Sequence, residues 1–149
     1  MLNIEVLSNS VLIDGKEIKR KRLPWANHCR EIFLYNDYVI KVVSNPMDYL
    51  SMDQNIFEYK KWKEISKNKD DSKYFAPVLF CKRNGLYLIQ KRFYFRSSKR
   101  TESIREKVKQ LCKKYDISDV PSYENRNWAM IGKDKPIIYD YGSEGYWSE

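Results

Sequence analysis

Short apolar stretches alternate with polar turn residues along most of the chain, a pattern typical of antiparallel hairpins. The clearest turn signals are Asp14-Gly15 and Asn84-Gly85, because these dipeptides favour the tight turns of two-residue hairpins. Asn36-Asp37 and Gly132–Lys135 separate two further pairs of apolar segments. The pattern predicts hairpins formed by Ser10–Ile13 with Lys16–Lys19, Glu31–Tyr35 with Tyr38–Val43, Val78–Lys82 with Leu86–Arg92, and Trp128–Ile131 with Pro136–Tyr139.

A first helix is predicted between the second and third hairpins. Ser51 and Gln54 form a capping-box pattern, which satisfies backbone amides at a helix start. Apolar residues then recur at intervals of three and four, as expected for one face of a helix. These residues are Met52, Ile56, Tyr59 and Trp62.

A second helix is predicted to start near Ser103, with Glu106 as its capping partner. Its apolar residues fall on one face, and they are Ile104, Val108, Leu111, Cys112 and Tyr115. The resulting order is hairpin, hairpin, helix, hairpin, helix, hairpin. This order predicts an α+β domain in which an antiparallel sheet carries one helix and a smaller helix-and-hairpin portion follows.

Composition narrows the class of protein. The chain has 149 residues, enough for one domain. Its content of 42% hydrophobic and 15% aromatic residues argues against a disordered chain. No apolar run approaches the ~20 residues of a membrane-spanning helix and the start does not read as a signal peptide, so we expect a cytoplasmic protein with no membrane partner. A net charge of +8 permits nucleic-acid binding, although acidic residues interrupt the basic stretches and solvated faces are favoured. The single histidine, His28, and three scattered cysteines do not form a usual zinc pattern.

Four places along the chain carry residues that could take part in a reaction or bind a ligand. Lys41 lies in the apolar strand Tyr38–Val43, and Glu58 lies in the first helix. Taken alone, each of these two side chains would be expected to face solvent. Asp119 precedes Asn127 in a loop, and Asp140 ends the last apolar strand. Asp and Asn oxygens at adjacent strand ends suit a hard cation such as Mg²⁺.

In this order, the residues resemble the signature of the protein-kinase fold. That signature is a strand lysine, a helix glutamate, a catalytic-loop Asp with a following Asn, and Asp-Phe-Gly. The corresponding segments here are Val39-Ile40-Lys41, Glu58, Asp119 with Asn127, and Asp140-Tyr141-Gly142. The resemblance extends from about Leu23 to Gly142 and is to the short kinase-like proteins of bacteria and their phages. It implies a minimal kinase-like domain over 1–149, with an N-lobe of about 1–92 and a truncated C-lobe of about 93–149.

The resemblance also implies roles and cofactors. Lys41 would hold the phosphates of ATP and be positioned by Glu58, and Asp119 would orient or deprotonate the acceptor hydroxyl of a protein or a small molecule. Asn127 and Asp140 would bind Mg²⁺. The adenine would be received by the segment that contains Gln90, Arg92 and Phe93.

Departures from the kinase pattern leave alternatives open. The segment Leu23–Arg30, where a glycine-rich loop is expected, has no glycine, and Trp25 either blocks the nucleotide site or covers a bound base. Counting five residues back from Asn127 leads to Ser122, which has no carboxylate. We therefore take Asp119 as the catalytic-loop Asp, in a loop three residues longer. Only seven residues follow Gly142, so a protein partner or a second copy is expected to cover the truncated C-lobe. The alternative functions are an inactive kinase-like module that binds proteins and, less favoured, a basic nucleic-acid-binding protein.

Overall fold

The chain folds into antiparallel sheets and helices, which confirms the predicted α+β class. The computed structural model describes residues 2–21, 30–43, 49–117 and 127–141. In these residues the strands are β1 (Ile4–Val6), β2 (Ser10–Ile13), β3 (Lys16–Lys19), β4 (Arg30–Tyr35), β5 (Tyr38–Val43), β6 (Val78–Cys81), β7 (Tyr87–Lys91), β8 (Trp128–Gly132) and β9 (Lys135–Ile138). The helices are α1 (Tyr49–Ile65), α2 (Lys69–Ser72) and α3 (Glu102–Lys114).

All four predicted hairpins are present, but the first belongs to a sheet of its own. The β2–β3 hairpin pairs with β1, a strand that the sequence analysis did not predict, in a three-stranded sheet of order β1-β2-β3. Val11 and Ile13 of β2 are fully buried and pack against the central sheet. The predicted single sheet is therefore two sheets in contact through an apolar layer.

The central sheet has the order β4-β5-β7-β6 and two chemically different faces. Alternate residues of a strand point to opposite faces. Phe33, Ile40 and Ile89 lie on the face that packs against the three-stranded sheet. Ile32 pairs with Lys41 on the opposite face, where α1 and the candidate site lie.

Helix α1 buries its polar side, contrary to the prediction. It begins at Tyr49, so Ser51 and Gln54 lie inside the helix and are buried, and the predicted capping box is wrong. The predicted apolar face is only half-buried, and the buried residues are Ser51, Gln54, Asn55, Glu58 and Ile65. The physical reason is that this side of α1 meets polar groups of the central sheet, which need partners when buried.

The turn between β6 and β7 touches α1 so closely that it requires glycine. Gly85 has a φ of +82°, and a Cβ there would overlap the carbonyl oxygen of Met52. Asn55 of α1 donates through Nδ2 to the carbonyl oxygen of Gly85 at 2.8 Å. This contact sets the position of α1 above the sheet.

The C-terminal part packs onto the same core as α1. The N-cap of α3 is Thr101, which accepts from the Ile104 amide at 3.3 Å, so the predicted Ser103 and Glu106 cap is wrong. The predicted apolar face of α3 is confirmed as buried. It joins Ile65, Leu88 and residues of the β8–β9 hairpin in one apolar cluster. Within the described residues, no helix has the length and hydrophobicity needed to cross a membrane.

A polar contact fastens α2 to the end of α3. The Tyr115 hydroxyl and the Lys114 ammonium each donate to Asp71 Oδ2 at 2.6 Å. The hydrogen bond from Lys114 and that from Tyr115 lower the pKa of Asp71 below its ordinary value of 3.8. Burial, together with the Asp71 carboxylate, raises the pKa of Tyr115 to about 12.

We expect Gly85→Ala to destabilise the fold much more than Gly15→Ala. Both glycines have positive φ in hairpin turns, of +82° and +83°, but a Cβ at Gly15 meets nothing within 4 Å. Gly15→Ala should cost about 1 kcal/mol from backbone strain, and Gly85→Ala should add the displacement of α1 for a total above about 3 kcal/mol. Urea denaturation of both variants measures the difference. Equal costs would contradict the close approach of α1 to this turn.

We expect Tyr115→Phe to lower the free energy of unfolding by ~1.5–3 kcal/mol at neutral pH, since it removes a hydrogen bond to a carboxylate. A raised pKa means that Tyr115 contributes stability below its ordinary pKa of 10, and this is lost as the pH rises towards about 12. A lowered pKa means that Asp71 contributes above its ordinary value of 3.8 and loses this contribution as the pH falls through the folded-state pKa. The stability difference between wild type and variant should therefore shrink at both extremes.

The measurement is denaturant unfolding across this pH range, with Tyr49→Phe as the control because Tyr49 is 67% exposed. A difference that stays constant from neutral pH up to pH ~12 would refute the role of the Tyr115 hydroxyl.

Candidate functional site

A buried ion pair joins β5 to α1. Lys41 Nζ lies 2.5 Å from Glu58 Oε1, and their side chains are 3% and 0% exposed. Lys41 Nζ also donates to the carbonyl oxygen of Tyr139 at 2.8 Å. The structure thus brings together two residues that, taken singly, would be expected to face solvent.

Arg30 is the main residue of this site that the sequence analysis missed. Its Nη2 donates to Asp140 Oδ1 at 2.8 Å and to Glu58 Oε2 at 3.2 Å. Its Nη1 donates to Asn55 Oδ1 at 3.0 Å. The signal that could have found it is strand alternation, because Arg30 lies on the same face of β4 as Ile32 and Leu34. The prediction started this strand at Glu31 and so left Arg30 outside it.

Arg30, Lys41, Glu58 and Asp140 form what we call the charge cluster, with two cations and two carboxylates in direct contact. Burial lowers the pKa of the Lys41 amine, against the opposing effect of Glu58, and Arg30 lowers it further. Burial would also lower the pKa of Arg30, but Glu58 and Asp140 outweigh it and raise the pKa. The cluster is electrically balanced, and balance is what makes buried charges tolerable.

Asp140 and Asn127 are neighbours at the end of the β8–β9 hairpin. The carbonyl oxygen of Asn127 accepts from the Tyr139 amide at 2.9 Å and from the Asp140 amide at 3.2 Å. The parallel bridge between Phe75 and Ile138 joins the end of β9 to the segment that follows α2. The segment 139–140 is therefore held beside Arg30 of β4 and Lys41 of β5.

The donors near Asp140 do not fit Mg²⁺ while Arg30 is in place. A carboxylate and an amide oxygen are suitable ligands for this ion, but Asp140 Oδ1 is held by the Arg30 guanidinium. In the part of the chain that the structure describes, no group of three His, Cys, Asp or Glu side chains could hold a metal ion. Magnesium binding by Asn127 and Asp140 stays a prediction of the resemblance.

A cleft of ≈ 500 Å³ opens beside the charge cluster. We call it the sheet cleft, and its walls come from β4, β5, β7, residues 92–95 and residues 139–140. Lys41 and Asp140 lie on its wall, and the side chains of Ile32, Leu34 and Val39 supply an apolar surface. Ile32 and Leu34 are 54% and 55% exposed. Such a cleft, apolar with a few polar groups, is typical of small-molecule sites.

The predicted adenine-binding residues Gln90, Arg92 and Phe93 all line the sheet cleft. The Gln90 side chain donates to the carbonyl oxygen of Ala76 at 3.2 Å. Arg92 donates through its amide to the Asp37 carbonyl oxygen at 2.8 Å and through Nη1 to that of Asn36 at 3.1 Å. Each of these two side chains thus has one hydrogen-bond partner within the protein.

Several predictions lie outside the described residues. Trp25 falls in 22–29, and both Asp119 and Ser122 fall in 118–126. Gly142 also lies outside them. The covering loop and the catalytic-loop register therefore stay predictions.

Comparison with protein-family models, with curated proteins and with solved structures finds no match to this chain.

We expect the Lys41–Glu58 pair to be strongly coupled. Glu58→Gln leaves a buried amine and part of a guanidinium without their carboxylate, which should cost ~3–5 kcal/mol. Combined with Lys41→Met, the loss should be smaller than the sum of the single losses by ~0.5–3 kcal/mol. Urea denaturation of the two single variants and the double variant gives this coupling energy.

The matched control is the α1 pair Lys61 and Glu64, whose Nζ–Oε2 distance is 3.5 Å and whose Glu64 side chain is 57% exposed. Lys61→Met and Glu64→Gln should couple by less than ~0.5 kcal/mol. Additive losses at Lys41 and Glu58 would contradict a direct buried pair.

Proposed function

We propose that this chain is a minimal protein-kinase-like module that binds ATP in the sheet cleft. The observation that carries the proposal is the buried Lys41–Glu58 pair, placed beside Asp140 at the wall of an apolar cleft. A strand lysine paired with a helix glutamate next to a strand-end Asp is the arrangement that phosphoryl-transfer proteins of the kinase class require. The three residues come from β5, α1 and the segment after β9, so tertiary folding assembles them.

The apolar part of the sheet cleft supports an aromatic base as ligand. Leu34 and Val39 face each other across the β4–β5 pair and present an aliphatic surface. Phe93 adds a ring on the cleft wall, and Phe95 packs against Tyr139 with ring centroids 5.1 Å apart. A planar purine would bury apolar area against these side chains.

The polar part of the cleft supports an anionic group. The Lys41 ammonium has three N–H donors, of which one goes to Glu58 and one to the Tyr139 carbonyl oxygen. The described residues offer no partner to its third donor, and Lys41 lies on the cleft wall, so we assign this donor to a phosphate oxygen. Lys91 and Arg92 add positive charge along the wall. An aromatic base joined to a phosphate chain matches both parts of the cleft.

Transfer of the γ-phosphoryl group to a hydroxyl of a protein or small molecule is the further expectation of the resemblance. It assigns proton acceptance to Asp119. That residue lies in 118–126, outside the described residues. The proposal therefore concerns ATP binding first, and transfer follows only if Asp119 reaches the cleft.

The second candidate is an inactive kinase-like module that acts by binding another protein or a second copy. The observation that favours it is the engagement of Asp140 by Arg30, which takes up a carboxylate that an active enzyme would use for a metal ion. Binding of nucleic acid stays a prediction from the net charge of +8.

We expect ATP to raise the thermal stability of the protein. At 100 times its dissociation constant, ATP adds ~2.7 kcal/mol, which for a chain of this size raises Tm by roughly 5–10 °C. Ile32→Glu should abolish the shift, because it places a carboxylate on the apolar wall next to the base and phosphates. Differential scanning fluorimetry and calorimetric titration, each with MgCl₂ and with EDTA, give the measurement.

The matched control is Leu79→Glu. Leu79 is also an exposed strand residue, 43% accessible, but lies on β6 and does not line the cleft. This variant should keep the full shift. An equal shift in Ile32→Glu would place ATP elsewhere, and no shift in wild type would leave the inactive module as the better explanation.

A further inference from the structure

Three oxygen atoms converge on the Arg30 guanidinium. They are Asp140 Oδ1 at 2.8 Å and Glu58 Oε2 at 3.2 Å from Nη2, and Asn55 Oδ1 at 3.0 Å from Nη1. They come from α1 and from the segment after β9. Two carboxylate oxygens around Nη2 and an amide oxygen at the neighbouring Nη1 are donors of the type that divalent cations prefer.

Arg30 is held rigidly in this position. It belongs to the β4–β5 ladder, where it pairs with Val43, and its side chain is 4% exposed. The guanidinium geometry matches several acceptors at once, and arginine stays charged at neutral pH. A cation at Asp140 is thus part of the folded chain itself.

We infer that Arg30 occupies the cation position at Asp140, so that the sheet cleft binds ATP as the metal-free anion. The inference rests on the proposed function for its ligand. A divalent ion bound to Asp140 Oδ1 would lie ~2.1 Å from that oxygen. The same oxygen already has Nη2 at 2.8 Å, so the two cations would repel each other at close range.

The charge of the cluster explains why no metal ion is needed. Arg30 and Lys41 together balance Glu58 and Asp140. A phosphate chain that enters the cleft therefore meets a cluster without net negative charge. In a site that lacked Arg30, the two carboxylates would repel the phosphates until a metal ion neutralised them.

The first arm of the test measures metal binding without nucleotide. Free Mn²⁺ is followed by electron paramagnetic resonance during titration of wild type, Arg30→Ala, Arg30→Lys and the double variant Arg30→Ala with Asp140→Asn. We expect Mn²⁺ binding at Asp140 in Arg30→Ala alone, because alanine frees the oxygens while lysine keeps a cation there. If Arg30→Ala does not give a folded circular dichroism spectrum, Arg30→Gln takes its place.

The matched control is Arg20→Ala. Arg20 is also buried and lies 2.8 Å from Glu31, and it donates to the carbonyl oxygens of Leu7, between β1 and β2, and of Val43 in β5. This variant should suffer a similar loss of stability and gain no Mn²⁺ site.

The second arm measures ATP affinity by calorimetry with EDTA and with MgCl₂. Wild type and Arg20→Ala should bind equally in both buffers, within a factor of about three, whereas Arg30→Ala should bind at least ~10-fold more tightly with Mg²⁺.

Three outcomes would overturn the inference. They are Mn²⁺ binding by wild type that the single variant Asp140→Asn, titrated in the same way, removes; ATP binding by wild type that requires Mg²⁺; and no gain of a metal site in folded Arg30→Ala or Arg30→Gln. Failure of every protein to bind ATP in either buffer refutes the proposed function instead. In that case the Mn²⁺ titration still decides whether Arg30 occupies the cation position.

Discussion

The buried contact between Lys41 and Glu58 is the constraint on which the rest of the structure depends. A charge without a partner in this environment would be strongly unfavourable, so β5 and α1 have to hold a fixed mutual position. This explains why α1 turns its polar side towards the sheet and leaves Met52 and Trp62 half-buried. Electrostatic pairing, rather than burial of the most apolar face, orients this helix.

The rest of the architecture maintains that position. Asn55 lies one turn before Glu58 and binds the backbone of both β5 and the β6–β7 turn. Gly85 lets that turn approach α1 without a Cβ in the way. On the other side, the Tyr139 carbonyl oxygen accepts from Lys41 and so ties the C-terminal hairpin to the same amine. The Lys41 side chain thereby joins β5 to both α1 and the segment after β9.

The two faces of the central sheet pack against different parts of the protein. Phe33, Ile40 and Ile89 seal one face against the three-stranded sheet. The opposite face carries the buried Lys41 and, beside it, the apolar wall of the sheet cleft. Strand alternation places these two different environments on neighbouring residues. The kinase-like proposal and its inactive alternative differ only in how the charge cluster on this second face is used.

The sequence by itself determined the α+β class, the hairpins and the buried face of α3, because turn dipeptides and periodic apolar residues act over a few neighbouring positions. It also placed Lys41, Glu58 and Asp140 in order along the chain, without showing that they meet. The buried side of α1 and the role of Arg30 were decided by tertiary structure. Arg30 and Asp140 are 110 residues apart, and no local pattern predicts a hydrogen bond over that separation. A buried polar residue is stable only once its partners are in place, and those partners come from the whole fold.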